Sequence, residues 1–223
     1  MANTRNIALN VLLKIENEGA YSNIALNNAI KENRLSGVDS SFVSALVYGV
    51  LERRITLDYI IRSYSKIPLR KIETKTKNIL RLGILQLLFM DKVPDSAAVN
   101  ESVNLAKKHK LQKSSGFING ILRNITRAEV KYTLPDEKDR VRYLSVKYSV
   151  PENIVKLWVN SYGENNTEQL LASLNGRAKI CCRVNTLRTD ADTLIKKLSD
   201  EGVVAEKIPF IDNALYLKNT GSV

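Results

Sequence analysis

The chain has 223 residues, 44% of them hydrophobic and 26% charged, which excludes a mainly disordered or fibrous protein and leaves room for one large or two small domains. Its 34 Lys and Arg outnumber 23 Asp and Glu, and the formal charge of +11 makes a polyanion the first partner to consider. The two cysteines, Cys181 and Cys182, are neighbours, which excludes a disulfide framework; Met1 to Arg5 lack the apolar run of an export signal, so the expected setting is cytoplasmic.

Residues 4 to 131 read as one helix after another. Ile7, Ala8, Val11, Leu12 and Ile15 form an apolar stripe behind Asn3 or Thr4 as caps. Phe42, Ala45, Leu46, Gly49 and Val50 repeat the helical spacing; so do Leu57, Ile60, Ile61 and Tyr64 after Thr56. The stretch from Asn78 to Met90 is apolar nearly all round, interrupted chiefly by Arg81 and Gln86. It is shorter than the roughly 20 apolar residues of a membrane span, so it is expected to be the buried central helix of a bundle. Ile118, Ile121, Leu122 and Ile125 give a further apolar face.

Tyr132 to Lys138, with Pro135, is the linker candidate between a domain at 1–131 and a region at 139–223. Beyond it, Pro151 suits a first helical turn, Ile154, Leu157, Trp158 and Ser161 share a face, and Gly163 stops the helix. A short helix through Leu170, Leu171 and Leu174 ends near Gly176. Ile180, Cys182 and Val184 then alternate with Cys181, Arg183 and Asn185 as in a half-buried strand. Thr189 caps a helix that stops at Gly202, and strands are expected at Val203 to Ile208 and Ala214 to Leu217. The fold class is therefore mainly α: a helical bundle, then helices and a small α/β domain of β-α-β-β order, incomplete at Val223.

The charge is unevenly placed. Up to Lys131 there are 21 Lys and Arg against 11 Asp and Glu, a charge of +10; the remainder has 13 against 12, a charge of +1. Arg62, Lys66, Arg70, Lys71, Lys75, Lys77 and Arg81 are interrupted by Glu73 alone. No carboxylate occurs from Ser102 to Ala128, a stretch holding Lys107, Lys108, Lys110, Lys113, Arg123 and Arg127. Two such blocks in one region point to nucleic-acid binding, although any single lysine there is more simply a solvated surface group.

Catalytic signatures are missing. No glycine-rich phosphate loop occurs, and His109 with two adjacent cysteines does not supply the spaced donors of a metal site. His109 reads as an exposed helix-end residue, and the cysteines as buried structural thiols in a strand. Asn119 and Gly120 interrupt an apolar stripe, which fits either close helix crossing or an Asn119 and Arg123 pair projecting toward RNA. Tyr64, Tyr132, Tyr143 and Tyr148 fit core positions better than base-stacking ones.

The run from Ile79 to Lys108, together with Gly116-Phe117-Ile118-Asn119-Gly120-Ile121-Leu122-Arg123, resembles the antitermination factor NusB family over about the first 130 residues. Tyr148-Ser149-Val150-Pro151, Trp158, Tyr162-Gly163, Asn175 and Cys182-Arg183-Val184-Asn185-Thr186-Leu187 resemble the Sun family of ribosomal RNA cytosine-5 methyltransferases, the RsmB type, which carry a NusB-like domain at their N-terminus. Val150 and Asn153 stand where that family commonly has His and Trp.

The resemblance implies an RNA-binding helical domain in an enzyme that uses S-adenosylmethionine to methylate carbon 5 of a cytosine in small-subunit ribosomal RNA. In that family the nucleophilic cysteine and the cofactor loop lie in a downstream Rossmann-like domain, so no catalytic, cofactor or metal role falls on these 223 residues. Arg5 is carried over as an RNA contact from the family's basic first helix; Lys107, Lys108, Lys110, Lys113, Asn119, Arg123 and Arg127 complete the candidate set. The expected partner is ribosomal RNA, with no membrane. The competing expectation is a non-enzymatic antitermination module that binds RNA and a ribosomal protein.

Overall fold

A computed structural model describes residues 4–174 and 179–220. They divide into two compact units, the first ending at Ala172 and the second beginning at Ser173. The first contains α1 (Thr4–Glu18), α2 (Ser22–Glu32), α3 (Gly37–Glu52), α4 (Arg54–Tyr64), a 3-10 turn at Leu69–Lys71, α5 (Thr74–Phe89), α6 (Asp95–Lys108), α7 (Gln112–Arg127), α8 (Arg140–Tyr148), α9 (Glu152–Tyr162) and all but the last two residues of α10 (Glu164–Leu174).

Helix α5 is the axis of this unit, as its all-round apolar pattern requires. Every residue from Asn78 to Gln86 is buried, and α1, α3, α4, α6 and α7 pack around them. Two glycines allow the close approach. A Cβ on Gly49 of α3 would lie 2.9 Å from Leu85 Cδ2, and one on Gly83 of α5 would lie 2.8 Å from Leu122 Cδ1 and 2.9 Å from Ser102 Oγ.

Both polar interruptions of α5 are buried and partnered. Gln86 Nε2 donates to the Leu82 carbonyl, and its Oε1 accepts from Arg5 Nε at 2.7 Å. Arg81 is only 4% exposed. Its Nε and Nη2 donate to the two oxygens of Asp58 on α4 at 2.7 and 2.9 Å, and its Nη1 donates to Glu16 of α1 at 2.9 Å and to Asn78 Oδ1. Burial opposes the Arg81 charge, but the bonds and charges of Asp58 and Glu16 outweigh it and raise the guanidinium pKa.

Residues 132–138 connect α7 to helices that pack in the same unit. Tyr64 Oη donates to the Lys131 carbonyl at 2.6 Å, and Thr56 Oγ1 donates to the Val146 carbonyl at 2.5 Å. Ser149 ends α8 in a left-handed conformation (φ 58°) and its hydroxyl accepts from Ile55 N at 3.0 Å. Arg53 at the α4 N-cap offers no side-chain bond, so Ser149 supplies the missing acceptor from another helix. Tyr143, Leu144, Val155 and Leu171 form a second apolar cluster, with Trp158 against it. The face expected on α9 is corrected here: Val155 is its buried residue, and Leu157 is 57% exposed. Pro151 is the N-cap rather than a first-turn residue. Tyr64 and Tyr132 pack on the main core, and Tyr143 and Tyr148 belong to the second cluster.

The second unit has β1 (Ile180–Arg183), α11 (Ala191–Asp200), β2 (Val204–Lys207) and β3 (Ala214–Lys218). The strands form an antiparallel sheet of order β1-β3-β2, with Cys182 and Lys207 both opposite Leu215, which is fully buried. The expected mainly α fold with a small β-α-β-β domain is thus observed. The α11 cap is Asp190 rather than Thr189, since the Asp190 carboxylate accepts from Thr193 N and its hydroxyl. The expected stop at Gly176 lies outside the described residues. Among them no helix is long and apolar enough to cross a membrane.

Glu16 links the core to pH. Burial raises its pKa, but bonds from Asn78 and Arg81 and the charges of Arg81 and Lys77 prevail and hold the carboxyl below its usual range. A depressed folded pKa stabilises the fold above the unfolded value of about 4.3, and that contribution is lost as pH falls through the folded value. Glu16→Gln is therefore expected to cost about 2 kcal/mol at pH 7, the scale of a charged hydrogen bond. The gap to the parent should narrow as pH falls below the unfolded value, as measured by urea denaturation at about pH 7 and through a series of lower pH values.

Candidate nucleic-acid interface

Helices α6 and α7 form a hairpin through a short turn in which Lys110 adopts a left-handed conformation (φ 59°). Leu105 and Ala106 of α6, and Ile118, Ile121, Leu122 and Ile125 of α7, face the core. This leaves the opposite faces to water and sets polar side chains of the two helices along a groove.

The groove has a volume of about 510 Å³ and is lined by Asn100, Asn104 and Lys107 from α6 and by Gly116, Asn119 and Arg123 from α7. A neighbouring hollow of about 360 Å³ shares Asn100 and Arg123 and extends to Asp95, Ser96, Thr126 and Arg127, so it carries one carboxylate beside its two arginines. Four of the expected residues, Lys107, Asn119, Arg123 and Arg127, thus line one continuous trough. Their side chains make no hydrogen bond or ion pair among the described residues. Amides offer donors and acceptors side by side, and the cations offer charge, the combination that meets bases or 2′-hydroxyls together with phosphates.

The other expected residues are placed elsewhere. Lys108, Lys110 and Lys113 are exposed but do not line the trough. Arg5, in the first turn of α1, bonds to Gln86 and stacks its guanidinium 5.2 Å from the centre of the Phe42 ring; desolvation lowers its pKa, with Glu101 opposing. His109 is half-buried rather than exposed, with Nε2 2.7 Å from Asn6 Oδ1. Burial, Lys75 and Lys108 lower its pKa and favour the neutral ring.

Close helix crossing does not explain the α7 glycines. A Cβ on Gly116 or Gly120 would meet nothing within 4 Å. Asn100 and Asn104 were not among the expected residues. Their spacing with Lys107, at i, i+4 and i+7 on one helix, is the signal that marks them.

Neither cysteine is buried: Cys181 is exposed and Cys182 half-buried. Among the described residues no group of three His, Cys, Asp or Glu side chains is arranged to hold a metal. The described residues do not fit S-adenosylmethionine either. The sheet is antiparallel, and the connection from β1 to α11 contains no glycine where a backbone cradle would be needed.

A helical bundle followed by a small antiparallel α/β unit defines the class of the fold. Residues 2–127 match the NusB family, and residues 150–223 match the ferredoxin-like domain of RsmF/B-like methyltransferases. The chain belongs to the NusB family, and it joins that domain to an RsmF/B-type ferredoxin-like one. It is 35% identical over 96% of its length to a probable ribosomal RNA small subunit methyltransferase B of Bacillus subtilis, of which it covers 47%. A Synechocystis protein of the same description is 31% identical over the whole chain, which covers 50% of it. The chain therefore spans about half the length of these curated relatives. Over 55% of the chain it is 36% identical to a transcription antitermination protein NusB of Nocardioides, covering 90% of that protein. Among solved structures, PH0851 shares the fold along the entire chain at a TM-score of 0.65 and 17% identity, with half of that protein covered.

The glycine environments give a direct test. Gly120→Ala should raise stability by about 0.5–1 kcal/mol, because the helical position is open and Ala loses less backbone entropy. Gly83→Ala should lower it by about 1–3 kcal/mol through overpacking against Leu122 and Ser102. Thermal unfolding of both variants measures the contrast; a loss at Gly120 would restore the close-packing explanation.

Proposed function

We propose that the chain is the RNA-holding N-terminal half of a methyltransferase that uses S-adenosylmethionine to methylate carbon 5 of a cytosine in small-subunit ribosomal RNA. The observation that carries this reading is the succession, in one chain, of a NusB-family domain and an RsmF/B-type ferredoxin-like domain. The role of these residues is to bind and orient the RNA, while methyl transfer belongs to the part of the longer relatives that this chain does not cover. The α6–α7 trough is the proposed RNA surface: Lys107, Arg123 and Arg127 meet phosphates, and Asn100, Asn104 and Asn119 meet base edges or 2′-hydroxyls. Lys108, Lys110 and Lys113, exposed near the same hairpin, add long-range attraction. A free-standing antitermination module bound to a ribosomal protein is the alternative supported by the NusB relatives, and residues 150–223 speak against it.

The test is RNA binding across a salt series. Each single-strand phosphate contact contributes about 0.7 to the slope of log affinity against log salt. Exchanging Lys107 and Arg123 for Gln together should lower that slope by about 1.4 and leave the melting temperature nearly unchanged. Unchanged affinity and slope would remove the trough from the RNA surface.

A further inference from the structure

A second concavity, of about 620 Å³, lies between the end of α4, the 3-10 turn and the start of α5. Arg62 of α4, Lys66 and Arg70 of the connection, and Lys77 of α5 line it, with Arg81 and Asp58 at its inner side. The lining holds five cations and one carboxylate. Such crowding of like charge is unfavourable unless the charges are screened or matched by a polyanion.

Asp58, the acid in the lining, and Glu16, the acid beside Lys77, are already engaged; Glu73, exposed in the same connection, does not line the concavity. Asp58 and Arg62 stand four residues apart on α4, the spacing at which a carboxylate and a guanidinium ordinarily pair. Both oxygens of Asp58 instead accept from the buried Arg81, at 2.7 and 2.9 Å. Glu16 is occupied by Arg81 and Asn78, and lies 3.6 Å from Lys77 Nζ. Arg62, Lys66 and Arg70 are exposed and make no ion pair among the described residues. The wall bearing them is shaped by local bonds: Ser65 Oγ donates to the Ile67 carbonyl and accepts from Ile67 N, and Lys71 N bonds the Pro68 carbonyl to close the 3-10 turn.

We infer that this concavity is a phosphate-binding site for an RNA backbone, separate from the α6–α7 trough, with Arg62, Lys66 and Arg70 as its contacts. Arg81 holds Asp58 away from Arg62 and so keeps the site positive. The inference rests on the reading of the chain as an RNA-binding protein and adds a second point of attachment to it. Two separated phosphate sites fix the position of a backbone more closely than one.

The experiment compares the 223-residue chain with a variant carrying Arg62→Gln, Lys66→Gln and Arg70→Gln. The probe is a fluorescein-labelled oligouridylate, titrated by anisotropy between about 0.1 and about 1 M salt. Three lost contacts should lower the salt slope by about 2, which corresponds to roughly a hundredfold weaker binding at the low-salt end. Arg70→Gln alone, in the exposed turn, should lower the slope by about 0.7, which keeps the test open if the triple variant folds poorly. Parent-like affinity and slope in the folded variants would overturn the inference. Pyrophosphate is titrated in parallel: binding that depends on the three side chains, with no effect of them on RNA, assigns the pocket to a free phosphate and also overturns it. If Lys107→Gln with Arg123→Gln is silent while the pocket variant is impaired, the trough falls and the pocket stands. If the parent itself binds no RNA, both fall together.

Discussion

Arg81 carries a full charge into the most buried helix of the molecule, and the bundle is arranged around compensating it. Its acceptors come from two other helices, Glu16 of α1 and Asp58 of α4, while Asn78 adds a bond from one turn earlier on α5. A packing that separated the guanidinium from these partners would leave a buried charge unpaired, at a cost of about 3–5 kcal/mol. Apolar contacts alone tolerate small slides of one helix along another; this bidentate geometry does not. The apolar remainder of α5 draws α3, α6 and α7 to its other sides, and Gly49 and Gly83 allow the close contacts with Leu85 and Leu122.

This compensation shapes the surface as well. Asp58, the carboxylate lining the concavity at the α4–α5 connection, and Glu16, beside Lys77, are spent on core charges, and Arg62, Lys66 and Arg70 make no ion pair among the described residues. The same economy recurs in the second apolar cluster, where Glu168 of α10 takes both Arg140 and Lys147 of α8. Glu168 is held below the usual carboxylate range, first by its bond from Lys147, and the Lys147 pKa is raised in turn. Along the α6–α7 hairpin the cause is simpler: Asp95 and Glu101 stand in the first half of α6, and no carboxylate occurs from Ser102 to Ala128. Positive surface therefore arises here by two routes, missing acids in one place and internally committed acids in another.

Periodicity made the helices legible, and α5 above all, because an all-round apolar segment too short for a membrane has only a bundle centre to occupy. Alternation from Ile180 to Val184 marked the position of β1, but not its burial: Ile180 is exposed, and within the strand only Cys182 is half-buried. What escaped the sequence depended on partners distant along the chain. Ser149 bonds Ile55 across 94 residues, and nothing local announces that a hydroxyl will complete another helix's first turn. Arg5 was expected to contact RNA from the family resemblance, and its partners Gln86 and Phe42 were not legible because they lie on other helices. The α9 face was misplaced because Ile154, Leu157 and Trp158 fit a stripe as well as Val155 does, and only the position of α8 and α10 chooses between them. Of the trough, the cations and Asn119 were legible, whereas Asn100 and Asn104 required looking for amides at helical spacing.

Gly116 and Gly120 differ from Gly83 in what surrounds the space of the missing Cβ. A glycine inside a helix costs about 0.5–1 kcal/mol relative to alanine, and at Gly83 that cost is offset by the contact it permits with Leu122 and Ser102. At Gly116 and Gly120 no protein atom uses the space. The missing Cβ at Gly116 instead lowers one side of the trough beside Asn119, exposing helix backbone where a strand of nucleic acid could lie close. The side chains around it are carried on α6 and α7, whose inner faces are locked into the core by Leu105, Ile118 and Leu122. A site mounted on such elements loses little conformational entropy when its ligand arrives, which is the physical advantage of setting amides and cations on a packed hairpin rather than on a loop.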